Sequence, residues 1–134
     1  MKETVNFDAD TKVKCKDSEK IRALLSISKI YIENNYVKEI SLADFSGHVF
    51  LSESYFAHRF KDEFSVSPKK YVLDLRINKA KELLIETDLK INEIAREVGF
   101  SSQQRFNDIF KKYEGLTPLY FRKIERLKKL NCGG

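Results

Sequence analysis

Three consecutive side chains, Gln103, Gln104 and Arg105, carry hydrogen-bonding groups of the kinds that read the edges of DNA bases. A glutamine amide can pair with N6 and N7 of adenine, and an arginine guanidinium can pair with guanine or hold a phosphate. The alternative for the glutamines is an ordinary solvated helix surface, and the alternative for Arg105 is a surface salt bridge. Whether these three side chains can contact DNA therefore depends on the secondary-structure element that carries them.

The neighbouring residues predict that this element is a short helix with one buried face. Apolar residues recur at intervals of three and four positions: Phe106, Ile109, Phe110 and Tyr113. Polar residues occupy the opposite face: Gln103, Gln104, Asn107, Asp108 and Lys111. A sharp turn at Gly99 and an N-cap at Ser101 or Ser102 precede the helix. A second turn at Gly115 ends it, and Thr117-Pro118 opens the next helix. This arrangement is typical of a DNA recognition helix.

The stretch is also the second copy of an internal repeat. Residue types in 52–71 recur fifty positions later in 102–121, and the apolar positions of 42–51 recur forty-nine positions later in 91–100. The two offsets, fifty and forty-nine, differ by one residue, and this extra residue lies in the turn between the two helices of the unit. The chain therefore contains two copies of a helix, a tight turn and a second helix.

The first copy predicts a second candidate recognition helix, capped by Ser52. Phe56, Phe60 and Phe64 form its buried stripe. Its outer face has few strong hydrogen-bond donors: His58 is the best candidate for a base or phosphate contact, and an ordinary exposed histidine is the alternative. Lys61, like Lys111 in the second copy, follows a buried phenylalanine and is a predicted phosphate contact. We expect the second unit to supply more sequence discrimination than the first.

The remaining pattern predicts a chain of helices. A helix from Glu19 to Tyr36 has a broad apolar face, and Ser41 with Asp44 starts another helix whose inner residues run to Val49. Three further helices are predicted, with these bounds: Ser67-Pro68 to about Glu86, Lys90 to Val98, and Pro118 to about Leu130. The long helix is expected to bury these residues: Tyr71, Val72, Leu75, Ala80, Leu83 and Leu84.

These elements predict a domain organisation in five segments. They are a disordered leader or linker stub (1–18), a first helix-turn-helix unit (19–67), a connecting helix (68–88), a second unit (89–130) and a flexible tail (131–134). A connector of about eighteen residues spans ~27 Å, close to the ~34 Å between successive major-groove faces of B-DNA. Because the copies run head to tail, we expect an asymmetric DNA site.

Composition favours a helical, DNA-binding protein without a cofactor. The 134 residues carry a net charge of +5, include ten Phe, and have five Gly and two Pro. The segment from Lys111 to the end accounts for the whole net charge, which suits phosphate contact, although a solvated helix face is the alternative. Cys15 and Cys132 have no metal-type spacing and are expected to be idle thiols, so we predict no metal or cofactor. The sequence has no signal peptide and no apolar run of membrane-spanning length, so a cytoplasmic location is expected.

The second copy resembles the second helix-turn-helix of the AraC/XylS family of bacterial transcription regulators. The matching residues are Ile94-Ala95, Val98-Gly99-Phe100, Phe106, Phe110-Lys111, Gly115, Thr117-Pro118 and Phe121-Arg122. The resemblance extends over roughly Lys20 to Lys123. It implies an all-α fold of two helix-turn-helix subdomains, about seven helices in all, joined by a long connecting helix. It also implies that the third helix of each unit enters the major groove.

Several residues depart from the family pattern. Ser65 stands at a helix end where the family usually has Gly, Ser46 replaces a small apolar residue, and Arg59 occupies a place where an apolar residue is common. Asp108 occupies a place often held by Arg; it can accept from a cytosine amino group or pair with Lys112, and we favour the pairing. Arg76 and Arg122 match positions tied to helix packing in the family, so both are expected to be structural.

The predicted function is sequence-specific binding of double-stranded DNA in transcription regulation. The predicted contacts are Ser52, Glu53, Ser54, Ala57, His58, Lys61, Ser102, Gln103, Gln104, Arg105, Asn107, Asp108 and Lys111. The alternative is a helix-turn-helix module used mainly to bind another protein. An enzyme is not expected, because the chain has no catalytic triad pattern, phosphate loop or metal motif, and it lacks the cysteine-rich zinc site of the DNA-repair alkyltransferases that carry a similar domain.

The expected partners are double-stranded DNA and, as a candidate, RNA polymerase, with no membrane. We expect a monomer on DNA unless a further domain dimerises it. The sequence leaves open whether the chain is a whole short regulator or the output domain of a larger one.

Overall fold

The computed structural model describes residues 14–41 and 52–133, and these residues contain six helices and no strand. The helices are α1 (Lys14–Asn35), α2 (Glu53–Phe64), α3 (Pro68–Glu86), α4 (Ile91–Glu97), α5 (Gln103–Glu114) and α6 (Pro118–Gly133). The predicted all-α class is confirmed. The helix predicted from Ser41 to Val49, with Ser46, and most of the predicted leader lie outside the described residues. None of the described helices is long and apolar enough to cross a membrane.

Two helix ends differ from the sequence-based bounds by three residues or more. α1 begins at Lys14, five residues before the predicted start at Glu19, and α6 continues to Gly133, three residues past the predicted end at Leu130. The other ends lie within one residue of the predicted bounds. At the start of α3, the backbone N–H of Lys70 donates to Ser67 Oγ at 3.2 Å, as the Ser67-Pro68 pair predicted.

The residues group into two units. The first holds α1, α2 and the start of α3 to Val72, and the second holds residues 36–39 and everything from Leu73 onward. Residues 36–39 follow α1 directly in the chain, yet they group with the second unit. This placement was not visible in the sequence, and it bears on the second recognition helix.

In the first unit, α1 packs its apolar stripe against α2. The stripe consists of Ile21, Leu25, Ser28 and Ile32, all buried. Ser28 satisfies its hydroxyl by donating to the carbonyl of Leu24 at 2.9 Å. The apolar face is narrower than predicted, because Ile27 and Ile30 are 63% and 56% exposed. A helix that packs on one side buries only the residues on that side, whatever their neighbours are.

In the second unit, four helices surround one core. Its buried members are Ile77, Ala80, Leu84, Ile94, Ala95, Val98, Phe100, Phe106, Phe110 and Phe121. From α3, Ala80 and Leu84 were predicted and are fully buried. The other predicted residues are only half-buried: Tyr71, Val72, Leu75 and Leu83. Ile77 is 1% exposed and was missed, although it completes a helical stripe with Ala80 and Leu84.

Candidate nucleic-acid interface

Helix α5 has the limits that the sequence predicted. Ser102 is the N-cap, and its Oγ accepts from the backbone N–H of Arg105 at 3.1 Å. Gly115 ends the helix with φ +80°, and its N–H donates to the carbonyl of Lys111 at 2.7 Å. Both ends of the helix are therefore fixed by local hydrogen bonds.

The buried face of α5 fixes its rotation about its own axis. Phe106 and Phe110 are both 0% exposed, and their ring centroids lie 5.7 Å apart. Phe106 also contacts the ring of Phe100 at 5.3 Å, and Phe110 contacts that of Phe121 at 5.3 Å. Because four rings pack in sequence beneath the helix, the opposite face of α5 must point to solvent.

That opposite face carries most of the predicted contact residues. The exposed ones are Ser102, Gln103, Gln104, Arg105, Asp108 and Lys111. Asn107 differs: it is half-buried, and its Oδ1 is buried without a hydrogen-bond partner among the described residues. Asp108 forms no ion pair within the described part of the chain, so the favoured pairing with Lys112 is wrong. An exposed pair of this kind is worth only about 0–1 kcal/mol, which does not hold two side chains together reliably.

Helix α2 of the first unit repeats this arrangement. Ser52 Oγ accepts from the N–H of Tyr55 at 3.1 Å, and Phe56 and Phe60 are both 0% exposed. Phe64, predicted in the same buried stripe, is only half-buried because it lies at the end of the helix. The exposed residues on the other side are Ser52, Glu53, Ser54, His58 and Lys61, and Ala57 is half-buried. His58 Nε2 lies 3.3 Å from Asp62 Oδ2, so its ring already has an intramolecular partner.

Ser65 closes α2 as tightly as Gly115 closes α5. It adopts φ +64° and ψ +13°, and its N–H donates to the carbonyl of Lys61 at 2.7 Å. The departure from the family glycine therefore leaves the geometry of the turn unchanged. It adds strain instead, because an L-residue in the left-handed region costs about 1–2 kcal/mol.

The turn that precedes α5 depends on Gly99. This residue has φ +102°, and a Cβ atom at its position would lie 2.6 Å from the carbonyl oxygen of Val37. Glycine is therefore required both for the backbone conformation and for the close approach of another backbone segment. The sequence predicted the turn at Gly99, but it gave no indication that another backbone segment packs against this residue.

Arg76 and Arg122 donate to backbone carbonyls beyond or near the end of a preceding helix, which confirms their predicted structural role. Arg76 donates from Nε to Tyr36 O at 2.7 Å and from Nη2 to Lys38 O at 2.9 Å. Arg122 donates from Nε to Leu84 O at 2.9 Å and from Nη2 to Thr87 O at 3.1 Å. Each planar guanidinium thus bridges two acceptors, which a lysine ammonium does less well.

Burial lowers the pKa of both arginines. Burial lowers the pKa of Arg76 below its usual value, the positive charge of Arg105 lowers it further, and Glu39 opposes the shift. Burial likewise lowers the pKa of Arg122, with Arg126 acting in the same direction and Asp88 against it. Both groups stay protonated at neutral pH because the usual value is far above it. Arg105, a residue of α5, therefore lies close enough for its charge to act on Arg76.

The outward face of each candidate helix carries a lysine in its last turn. Within the described residues, neither Lys61 nor Lys111 forms an ion pair, and both are exposed.

No group of three or more His, Cys, Asp or Glu residues that could hold a metal occurs in the described part of the chain. The side chains of Cys15 and Cys132 lie outside what the structure describes. The exposed side chains of α2 and α5 thus offer hydrogen-bonding groups and charges of both signs, since Glu53 and Asp108 are exposed beside the lysines.

Comparisons with known proteins agree with this geometry. A family model described as a helix-turn-helix domain matches residues 45–124. The melibiose operon regulatory protein of Escherichia coli (strain K12) is 33% identical over 104 residues, which cover 78% of this chain and 34% of that protein. The probable transcriptional regulator LumQ of Photobacterium leiognathi is 36% identical over 92 residues, 69% of this chain and 37% of that protein. The chain therefore spans about a third of the length of these curated relatives.

Solved structures share the fold. The C-terminal domain of AraT, a response regulator from Geobacillus stearothermophilus, matches with a TM-score of 0.71 and 29% identity, over 75% of this chain and 84% of that one. The DNA-binding domain of AdpA, solved in complex with a target DNA, matches with a TM-score of 0.67 over 81% of this chain and 94% of that one. At 18% identity the second match speaks for the fold alone. With its matched helix-turn-helix region and these relatives, the chain belongs to the AraC-type family of helix-turn-helix transcription regulators.

Proposed function

We propose that this chain binds a specific, asymmetric double-stranded DNA site in bacterial transcription regulation, with α2 and α5 in adjacent major-groove segments. One observation carries the proposal. Gln103, Gln104 and Arg105 are exposed on a helix whose rotation is fixed by buried rings, and within the described residues their side chains have no intramolecular partner. Their hydrogen-bonding groups are therefore available to a ligand.

The chemistry of these three side chains fits base edges better than a protein surface. Two adjacent amides can each make a paired hydrogen bond to an adenine, and a guanidinium can do the same to a guanine. Hot spots of protein interfaces are enriched in Trp, Tyr and Arg, and of these the outward face of α5 carries Arg105 but no aromatic residue. The protein-binding alternative therefore has less support.

Lysine contacts to phosphate would supply affinity. Lys61 and Lys111 occupy equivalent places at the ends of α2 and α5, and both are free to neutralise a phosphate. His58, which already has Asp62 as a neighbour, is a weaker donor to DNA. The balance of donors favours more sequence discrimination by the second unit than by the first.

The length of α3 supports a site of two adjacent half-sites. At ~1.5 Å per residue, its 19 residues span about 28 Å. Successive major-groove faces lie ~34 Å apart, which corresponds to a site of about twenty base pairs. The head-to-tail order of the repeat makes that site asymmetric, and one chain suffices to fill it. RNA polymerase remains a proposed second partner of the regulator.

Selection of bound DNA from a random pool, followed by affinity measurement by fluorescence anisotropy, tests the proposal. We expect an asymmetric consensus of about twenty base pairs, one protein per site by analytical ultracentrifugation, and affinity that falls steeply as salt rises. A folded chain that enriches no sequence and binds no DNA at low salt would favour the protein-binding alternative.

A further inference from the structure

Residues 36–38 form a backbone support for the turn that precedes α5. The carbonyl oxygen of Val37 faces Gly99 so closely that a Cβ there would lie 2.6 Å from it. The segment follows α1 and lies about sixty residues before the turn in the sequence. It is therefore a long-range neighbour of the recognition helix, placed there by the fold and by no local signal.

Arg76 joins this segment to the turn. Its guanidinium bonds the carbonyls of Tyr36 and Lys38, the two residues that flank Val37, at 2.7 and 2.9 Å. Its Nε would also lie 3.0 Å from a Cβ at Gly99, and its Cζ lies 5.6 Å from the centroid of the Phe100 ring. One side chain thus contacts both the supporting segment and the turn.

The contacts continue from the turn into α5. The ring of Phe100, which Arg76 covers, lies 5.3 Å from that of Phe106, and Phe106 is a fully buried residue of α5. Close-packed rings transmit a displacement because the interior has little free volume. A shift of the guanidinium would therefore reach the recognition helix through only two aromatic residues.

A matched counterpart to Arg76 lies at the same spacing of fifty positions that relates the two copies of the repeat. Arg126, fifty positions later, donates to the carbonyl of Thr87 and lies 3.1 Å from Asp88 Oδ1. It also holds a loop that follows a long helix, but its acceptors lie about ten residues before the turn at Gly99. The two arginines make similar bonds, and only Arg76 contacts the residues that lead into α5.

We propose that Arg76 is a positioning residue for DNA recognition: it clamps residues 36–38 against Gly99 and so fixes the direction in which α5 leaves the turn. The inference rests on the DNA-binding function proposed above and adds a residue outside both candidate recognition helices. It makes discrimination at the second half-site depend on a segment that follows α1. Arg76 itself needs no contact with DNA in this role.

The test compares Arg76→Lys and Arg76→Met with Arg126→Lys on three DNA duplexes. These are the site selected by the wild-type protein, the same site with its second half scrambled, and the same site with its first half scrambled. We expect Arg76→Lys to weaken binding to the intact site by at least about fivefold, the lower end of what a lost bidentate base contact costs. Binding to the site with a scrambled second half should change less than twofold. Arg126→Lys should preserve the ratio between the two sites.

The salt dependence separates positioning from direct contact. If Arg76 only positions α5, Arg76→Lys and Arg76→Met weaken binding and change the slope of log K against log salt alike, because the phosphate contact of Lys111 moves with the helix. A direct phosphate contact by Arg76 would instead leave Arg76→Lys close to wild type and reduce the slope of Arg76→Met alone by about 0.9, which would overturn the proposal. Circular dichroism monitors the folding of each variant. If Arg76→Met does not fold, the test uses Arg76→Lys, because lysine retains the aliphatic stem and the positive charge.

Two outcomes distinguish this inference from the proposed function. Wild-type protein that binds intact and scrambled sites equally would overturn both. Wild-type discrimination that persists unchanged in Arg76→Lys, or falls equally in Arg126→Lys, would overturn the positioning role alone.

Discussion

Gly99→Ala and Gly115→Ala make the same chemical change at the two turns that flank α5, and they should differ in cost. Both glycines have positive φ, +102° and +80°. A Cβ at Gly115 would meet no atom within 4 Å, whereas a Cβ at Gly99 would lie 2.6 Å from Val37 O and 3.0 Å from Arg76 Nε. The pair therefore separates backbone strain from close approach.

The expected magnitudes follow from these distances. An alanine with positive φ destabilises the folded state by about 1–2 kcal/mol. The substitution also lowers the conformational entropy of the unfolded chain, which offsets about 0.4–1 kcal/mol of that loss. Gly115→Ala should therefore destabilise by about 1 kcal/mol. Gly99→Ala adds the cost of overpacking against a backbone oxygen, about 1–3 kcal/mol, which gives a total of about 2–4 kcal/mol.

Urea unfolding followed by circular dichroism measures both free energies of unfolding, with thermal unfolding as a second probe. The slope of the free energy against urea should match that of wild type in both variants, which would show that the same surface unfolds. Equal losses for the two variants, or a larger loss for Gly115→Ala, would refute the assignment of residues 36–38 as a support for the turn at Gly99.

The other predictions concern single side chains. Ser65→Gly should stabilise the chain by about 0.5–1 kcal/mol in urea unfolding, because it relieves a left-handed residue at φ +64°; a loss of stability would contradict this. Gln104→Ala should cost about 1–3 kcal/mol of binding free energy on the selected site, by anisotropy; a clearly larger loss for His58→Ala would overturn the ranking of the two units. Lys111→Ala should weaken binding to all sequences alike and lower the salt slope by about 0.9; a change confined to one sequence would argue against a phosphate contact.

Local signals were enough to predict α5 and its outward face. The Ser102 cap, the terminal Gly115 and the spacing of Phe106 and Phe110 all act within one or two helical turns, so they can be read directly from the sequence. The repeat then predicted α2 by the same signals, and its Ser52 cap and buried Phe pair were confirmed.

Features that depend on distant contacts were missed or wrong. The support of Gly99 by residues 36–38 joins segments about sixty positions apart, and no periodicity reports such a contact. The burial of Asn107 Oδ1 and of Ile77 depends on what packs beside the helix, not on the helix itself. The left-handed Ser65 shows that the fold can impose a conformation against local preference.

Protection of guanine N7 from dimethyl sulfate tests the central claim most directly, because N7 lies in the major groove. On the selected site with one chain bound, we expect two protected patches about ten base pairs apart, and loss of the patch under α5 in the Gln103→Ala, Gln104→Ala double variant. A single patch, protection confined to the minor groove, or a footprint that the double variant leaves unchanged would contradict the proposed reading of DNA by two recognition helices.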